Sequence, residues 1–353
     1  MTLKQRVSRV SSVLNPKQAY YIADPSDVFY LSGYDGTFGK IIVFSNRAVF
    51  ITDPRYEGYV KNSPISKDFE ICITKDFKQD LKKYINGTSG VFLSRNIPLA
   101  DYIMVKEIIP AVTFDNMLRR MRMIKDADEI KLIKKAVSIN EAAVMDTASR
   151  LKEGVTEKDL SAEFEYYVRK AGAEGVSFST IIAFNENAAV PHHGTSDTKL
   201  KPGSMVLMDS GVRYKGYCSD LTRVMAFGII KNRFKDLQNH YNIVQNAKKT
   251  GVEYYKAGNI IKEADKKARE YLAEQGLEQY FTHSLGHSLG IDIHEPPGVS
   301  HKEELKFEPG MVLTCEPGLY FTGKYGIRIE DDYLITDNTP QKLGKLSDSL
   351  IIV

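Results

Sequence analysis

At 353 residues the chain is long for one hydrophobic core and fits two domains. Its 48 lysines and arginines against 45 aspartates and glutamates leave a formal charge of +3, which implies neither a nucleic-acid track nor a strongly acidic substrate. The opening MTLKQRVSRVSSVLNPKQAYY holds no long apolar segment, and no later run approaches the roughly 20 residues that cross a bilayer, so a cytoplasmic protein without a membrane partner is expected.

In chain order, strand-like runs at residues 40–51 (KIIVFSNRAVFI), 70–74 and 90–94 alternate with helical stretches at 53–61 and 99–109. That alternation predicts a compact α/β domain over residues 1–122, ending at a boundary near 121–125. Beyond it, Asp126 with Glu129 at the capping-box position opens a helix over 125–150, whose apolar stripe is Ile130, Ile133, Ala136 and Val137. This helix reads as scaffold.

Residues 205–227, MVLMDSGVRYKGYCSDLTRVMAF, place two β-prone runs around a polar tip, which predicts a hairpin. With the turn centred on Tyr214 and Lys215, Asp209 and Asp220 face each other, and directly opposed residues have Cβ atoms about 5 Å apart. A single aspartate in such a place is ordinarily a turn cap or a solvated strand face. Here both border apolar runs, where an unpaired charge is expensive.

Glu316 and Glu330 repeat the arrangement. MVLTCE is followed by the turn signal Pro317-Gly318, GIRIEDDYLI alternates with period two, and the two glutamates are symmetric about Gly323. Between the two hairpins, FTHSLGHSLGIDIHEPPG gathers His283, His287 and His294. Carboxylates brought together repel unless positive charge compensates them. Asp209, Asp220, His287, Glu316 and Glu330 therefore form a set for two divalent cations, oxygen-rich with one imidazole, suited to Mn²⁺, Co²⁺, Zn²⁺ or Fe²⁺. Arg328 lies two residues before Glu330 and so on the same strand face, placed to orient a carboxylate. Asp331 and Asp332 read as supporting or solvated groups. Cys72, Cys218 and Cys315 cannot all pair, which suits a reducing compartment.

These blocks carry a resemblance. MDSGVRYKGYCSDLTR, HSLGHSLGIDIHE, TCEPGLY and GIRIEDD resemble the signatures of the pita-bread metallopeptidases (peptidase M24), the group containing aminopeptidase P, Xaa-Pro dipeptidase (prolidase) and methionine aminopeptidase. NAAVPHHG is similar to the loop in which this family places a further active-site histidine, His192 or its neighbour His193. YIADPSDVFYLSGYDG and FITDPRYEGYV look like the creatinase-type N-terminal domain, a module that methionine aminopeptidases generally lack. In these segments Tyr34, Phe38 and Arg55 read as core or surface before they read as site.

The resemblance implies an α+β protein. Its C-terminal pita-bread (creatinase/aminopeptidase) domain, residues 123–353, carries a curved antiparallel sheet with helices such as 156–171 and 233–256 over one face; a smaller α/β creatinase-type domain, residues 1–122, precedes it. Asp209 would chelate one metal, Asp220 bridge both and His287 bind the second, with Glu316 and Glu330 completing the spheres around a bridging water or hydroxide. Glu316 would shuttle the proton, while His283 and His294 hold substrate and stabilise the intermediate and His192 shapes the site from the other side. The expected activity is hydrolysis of the bond before proline, at the N-terminus of peptides or in Xaa-Pro dipeptides, with Mn²⁺ preferred and a homodimer as assembly. The alternatives are a creatinase-like amidinohydrolase that works without metal and a non-catalytic binding module; both predict gaps in the ligand set.

Overall fold

β-branched and aromatic runs form the centre of each of the two units into which the computed structural model divides, Met1–Arg122 and Met123–Val353. Residues 1–228 and 234–353 are described.

The first unit holds one six-stranded mixed sheet: β1 (Gln18–Ile22), β2 (Lys40–Phe44), β3 (Ala48–Thr52), β4 (Glu70–Ile73), β5 (Gly90–Ser94) and β6 (Val112–Asp115), in the order β4-β3-β2-β1-β5-β6. Residues 40–51, predicted as one run, are two antiparallel strands with Val43 opposite Ala48, because the polar Ser45-Asn46-Arg47 triplet reverses the chain. Helices Phe77–Ile85 and Leu99–Ile108 contribute Leu81, Ile85 and Val105 to the core under the sheet. Residues 53–61 begin as a 3₁₀ turn, Pro54–Tyr56, and become α-helical at Glu57–Lys61. Tyr34 is buried with its ring edge against Phe50, Phe38 packs on Phe77, and Arg55 is exposed on Asp53.

The second unit opens on helix Ala127–Ala148, where the predicted capping box forms: Asp126 accepts from the Asp128 and Glu129 N–H groups, and Glu129 accepts from the Asp126 N–H. The strands are β7 (Gly175–Val176), β8 (Ile181–Phe184), β9 (Ser204–Ser210), β10 (Val212–Tyr214), β11 (Tyr217–Cys218), β12 (Leu221–Phe227), β13 (Gly286–Ser288), β14 (Glu295–Val299), β15 (Val312–Cys315), β16 (Gly318–Phe321), β17 (Tyr325–Arg328), β18 (Asp331–Leu334), β19 (Gln341–Lys342) and β20 (Ile351–Ile352). They pair as separate ladders: β11-β10-β7, β20-β12-β9-β8, β14-β13-β15-β18-β19 and β16-β17, all antiparallel except β12 with β20.

The helices predicted over one face divide between two apolar clusters. Side chains alternate along β9, so Val206 and Met208 join Leu160 and Phe164 of helix Glu157–Lys170, whereas Met205 and Leu207 join the cluster holding Tyr241 and Val244 of helix Phe234–Val252. The predicted start of that second helix, Arg233, lies outside the described residues.

Candidate active site

The first hairpin turns one residue later than predicted. Lys215 (φ 47°) and Gly216 (φ 80°) both take positive φ, as a two-residue type I′ turn requires, with Tyr214 opposite Tyr217. Asp209 therefore faces Thr222, not Asp220, and Asp220 becomes a diagonal neighbour just before β12. Helix Ala127–Ala148 fixes the end of β9, since Asn140 Nδ2 donates to Ser210 O at 2.8 Å and Ser210 Oγ donates back to Asn140 Oδ1 at 2.9 Å.

In the second pair, Cys315 opposite Asp331 and Gly318 opposite Arg328 keep one register on both sides of a gap, and that register sets Glu316 against Glu330. Their backbones reach outward instead of to each other. The Glu316 N–H donates to Leu285 O at 2.8 Å and the Glu330 N–H to Thr222 O at 3.3 Å, so the gap lets neighbouring ladders join at the carboxylates. His287 enters on β13. At the preceding Gly286 a Cβ would lie 2.2 Å from Thr314 O, so only glycine lets β13 approach β15 this closely. The His287 N–H donates to Thr314 Oγ1 at 3.0 Å and its Nδ1 is 3.1 Å from Ser288 O, which leaves Nε2 aimed inward, 3.5 Å from both Asp220 Oδ2 and Glu316 Oε1.

The donor set fits divalent cations. Asp220, His287 and Glu330 each offer an atom within 4.8 Å of the others. Asp209 Oδ1, Asp220 Oδ1 and Glu330 Oε1 are buried with no hydrogen-bond partner, an expensive condition that a cation relieves. Burial first, and then the neighbouring carboxylates, raise the proton affinity of Asp220, Glu316 and Glu330 above the ordinary carboxylate range.

Arg328 is buried and spends its fork on the site. Nη2 donates to Asp209 Oδ2, Nε to Thr222 Oγ1 at 3.2 Å and Nη1 to Tyr320 OH at 2.7 Å; Thr222 Oγ1 in turn donates to Glu330 Oε2 at 2.6 Å. One guanidinium thereby links carboxylates from two hairpins. The Tyr320 hydroxyl continues the chain to His283 Nε2 at 2.8 Å, while His283 Nδ1 lies 2.8 Å from Ser284 O. Burial and the nearby Arg328 cation push the His283 imidazole down to about 4, a neutral ring with both nitrogens engaged. Thr222 and Tyr320 were missed in sequence. The register opposite Asp209 is the signal that finds Thr222; TCEPGLY contains Tyr320 but nothing local marks its hydroxyl.

His294 stands edge-on to His287 with centroids 4.2 Å apart. Of the adjacent histidines, His192 lines the cavity and His193 turns away, its Nε2 2.9 Å from Glu157 Oε2. Asp331 and Asp332 are not solvated. Despite the penalty of burial, Lys248 and Arg223 hold the Asp331 carboxyl below its ordinary range, and Asp332 Oδ2 accepts the Asp220 N–H at 3.1 Å. The five candidate ligands, the three histidines and Arg328 surround a cavity of about 560 Å³ whose apolar wall includes Phe178, Ile181 and Pro191.

A cavity walled by convergent carboxylates and imidazoles, on paired hairpins backed by helices, defines a metal-dependent hydrolase. Residues 131–337 match the model of metallopeptidase family M24, residues 15–124 match the creatinase/prolidase N-terminal domain, and the chain belongs to family M24. It is 34% identical to a Xaa-Pro dipeptidase of Pyrococcus horikoshii, covering 99% of each sequence. Among solved structures it resembles a Xaa-Pro dipeptidase from Bacillus anthracis (33% identity, TM-score 0.92, all of both chains covered). It also resembles an X-Pro aminopeptidase from Thermotoga maritima (34% identity, TM-score 0.89, 99% of this chain and 100% of that one).

Proposed function

We propose that the protein is a dinuclear-metal exopeptidase that hydrolyses the bond between an N-terminal residue and proline. The observation that carries this reading is the convergence, in an M24 chain, of carboxylate oxygens that are buried without partners beside the inward nitrogen of His287. Proline's tertiary amide and fixed φ make the bond before it a poor fit for general peptidases.

Asp209, Asp220, His287, Glu316 and Glu330 would hold the cations. A pair of divalent ions, when bound, lowers the pKa of a water and polarises the scissile carbonyl. Glu316 is the proton carrier: it would take a proton from the attacking water and deliver it to the proline nitrogen as the C–N bond breaks. Arg328 and Thr222 fix the orientation of Asp209 and Glu330. His283, His294 and His192 receive the substrate and its developing oxyanion; His283 does so by exchanging a present partner, Tyr320 or Ser284 O, for a substrate oxygen.

Mn²⁺ completes the reading as native ion, with Co²⁺ as substitute, on the resemblance to the family; the carboxylate-rich donor set suits it as it suits Zn²⁺ and Fe²⁺. Three free cysteines support a cytoplasmic location. The creatinase-type unit is the module tied to a homodimer by resemblance. Among the described residues no helix is long and apolar enough to cross a membrane. The test compares Ala-Pro with Ala-Pro-Ala after chelation and after return of Mn²⁺, Co²⁺ or Zn²⁺. Metal-restored release of alanine is expected, and the relative rates assign dipeptidase or aminopeptidase; no cleavage of either peptide with any ion overturns the reading.

A further inference from the structure

The cavity wall formed by Pro191 and His192 belongs to an irregular segment that follows the 3₁₀ turn Asn185–Ala189. Both flanks of that segment converge on one carboxylate. Glu157, the first residue of helix Glu157–Lys170, is fully buried. Its Oε1 accepts from the Phe184 N–H at 2.8 Å and from Asn187 Nδ2 at 2.8 Å. Its Oε2 accepts from the Ser196 N–H at 2.9 Å and Ser196 Oγ at 2.6 Å, and faces His193 Nε2 at 2.9 Å.

Capping does not account for this burial, since Thr156 and Asp159 already form the capping box of the same helix. Nor does any catalytic step use the group. What its partners share is position: Phe184 and Asn187 precede Pro191 and His192 in the chain, and His193 and Ser196 follow them. The tip of the segment meets the ligand network at one point, where Arg328 Nη1 donates to Pro191 O at 3.4 Å.

We infer that Glu157 is a positioning residue for substrate binding: by clamping both flanks of the segment and holding His193 on the protein side, it sets His192 and Pro191 as the substrate-facing wall. The inference rests on the substrate-side role given to His192 above. It separates two neighbouring histidines by function, His193 as an internal strut and His192 as a substrate contact. Burial opposes the Glu157 charge, but donors from Ser196, Asn187, His193 and the Phe184 backbone outweigh it and keep the carboxylate ionised.

Glu157→Gln preserves size but turns an amide NH₂ toward groups that themselves donate. With Mn²⁺-loaded protein and Ala-Pro, KM should rise about ten-fold while kcat stays within about two-fold and bound metal is unchanged. His193→Ala should raise KM about three-fold, and His193→Gln, whose amide can still donate to Oε2, should return it toward wild type. A generally weakened fold would instead lower metal content and kcat together, and that result overturns the inference, as does an unmoved KM in Glu157→Gln. If Glu157→Gln does not accumulate folded, an unmoved KM in His193→Ala is decisive against it. Limited proteolysis gives a readout independent of activity: cleavage within residues 185–196 should accelerate in Glu157→Gln or His193→Ala, and equal rates overturn the clamp. Wild type inactive toward Ala-Pro with normal proteolytic behaviour would condemn the functional reading and leave the clamp standing.

Discussion

Asp220 has one oxygen 3.5 Å from His287 Nε2 and the other buried without a partner, and its backbone N–H is held by Asp332. Such a side chain serves the whole donor set, so Asp220→Ala should lose both bound metal and turnover; elemental analysis beside an Ala-Pro assay checks this, and near-normal values of either remove its assignment. Glu316 differs in being only partly buried, with its Oε2 facing His283 Nδ1 at 4.0 Å. As proton carrier its change to glutamine should lower kcat by about 10²–10⁴-fold with little change in KM, the signature of a group acting in the transition state. An effect confined to KM would transfer the role elsewhere. At this scale the convergence of Asp220, His287 and Glu330 was legible because charged residues bordering apolar runs are costly, and the place of Arg328 near them followed from strand period two. Thr222 and Tyr320 were not, since neutral hydroxyls cost little in any local context and matter here only through what lies across the ladder.

Elements place those residues through register, and register depends on backbone details that composition does not carry. The 205–227 hairpin was legible as a hairpin, but positive φ at Lys215, a residue with no special turn preference, moved its centre by one position and gave Asp209 Thr222 as its cross-strand partner. The 316–330 pair needed no such correction, because Gly323 (φ 71°) supplies the turn where symmetry puts it. Residues 40–51 were misread for the opposite reason: apolar residues on both sides of Ser45-Asn46-Arg47 masked a reversal. At the element scale the sharpest test is Gly286→Ala. Its Cβ would press on the Thr314 carbonyl, which is strand backbone and cannot rotate aside, so β13 must retreat from β15 and take His287 with it. A loss of about 1–3 kcal/mol in stability is expected, together with weaker metal binding; denaturant melts and metal titration measure both, and a silent substitution would mean that the strands are less closely held than described.

Over the whole molecule, the two-part division and the mixed α and β composition were readable from alternating runs and from the change at residues 121–125, while the breakup of the second unit into several ladders was not, because the breaks depend on long-range pairing, as where the Glu316 N–H donates to Leu285 O and the Glu330 N–H to Thr222 O. The units also differ in how they treat buried charge. The candidate metal-binding residues lie in Met123–Val353; in Met1–Arg122 the buried acid Asp27 meets Arg122 Nη1 at 3.0 Å. Burial, only partly offset by Arg122, raises the Asp27 carboxyl from its ordinary range to about 6. In the unfolded chain the same group titrates near about 4. Between those values the folded protein binds the proton and the unfolded chain has released it, so the contribution of Asp27 to stability falls as pH rises from about 4 to about 6 and is flat above, an effect of about 3 kcal/mol at most. Asp27→Asn should remove that slope. The level of stability is a poor readout, because the substitution also deprives Arg122 of a charged partner; the difference between denaturant melts at pH 4.5 and pH 7 is the quantity to compare. A variant that keeps the wild-type slope over this window would show that the Asp27 carboxyl titrates at its ordinary value and that Arg122 fully offsets its burial.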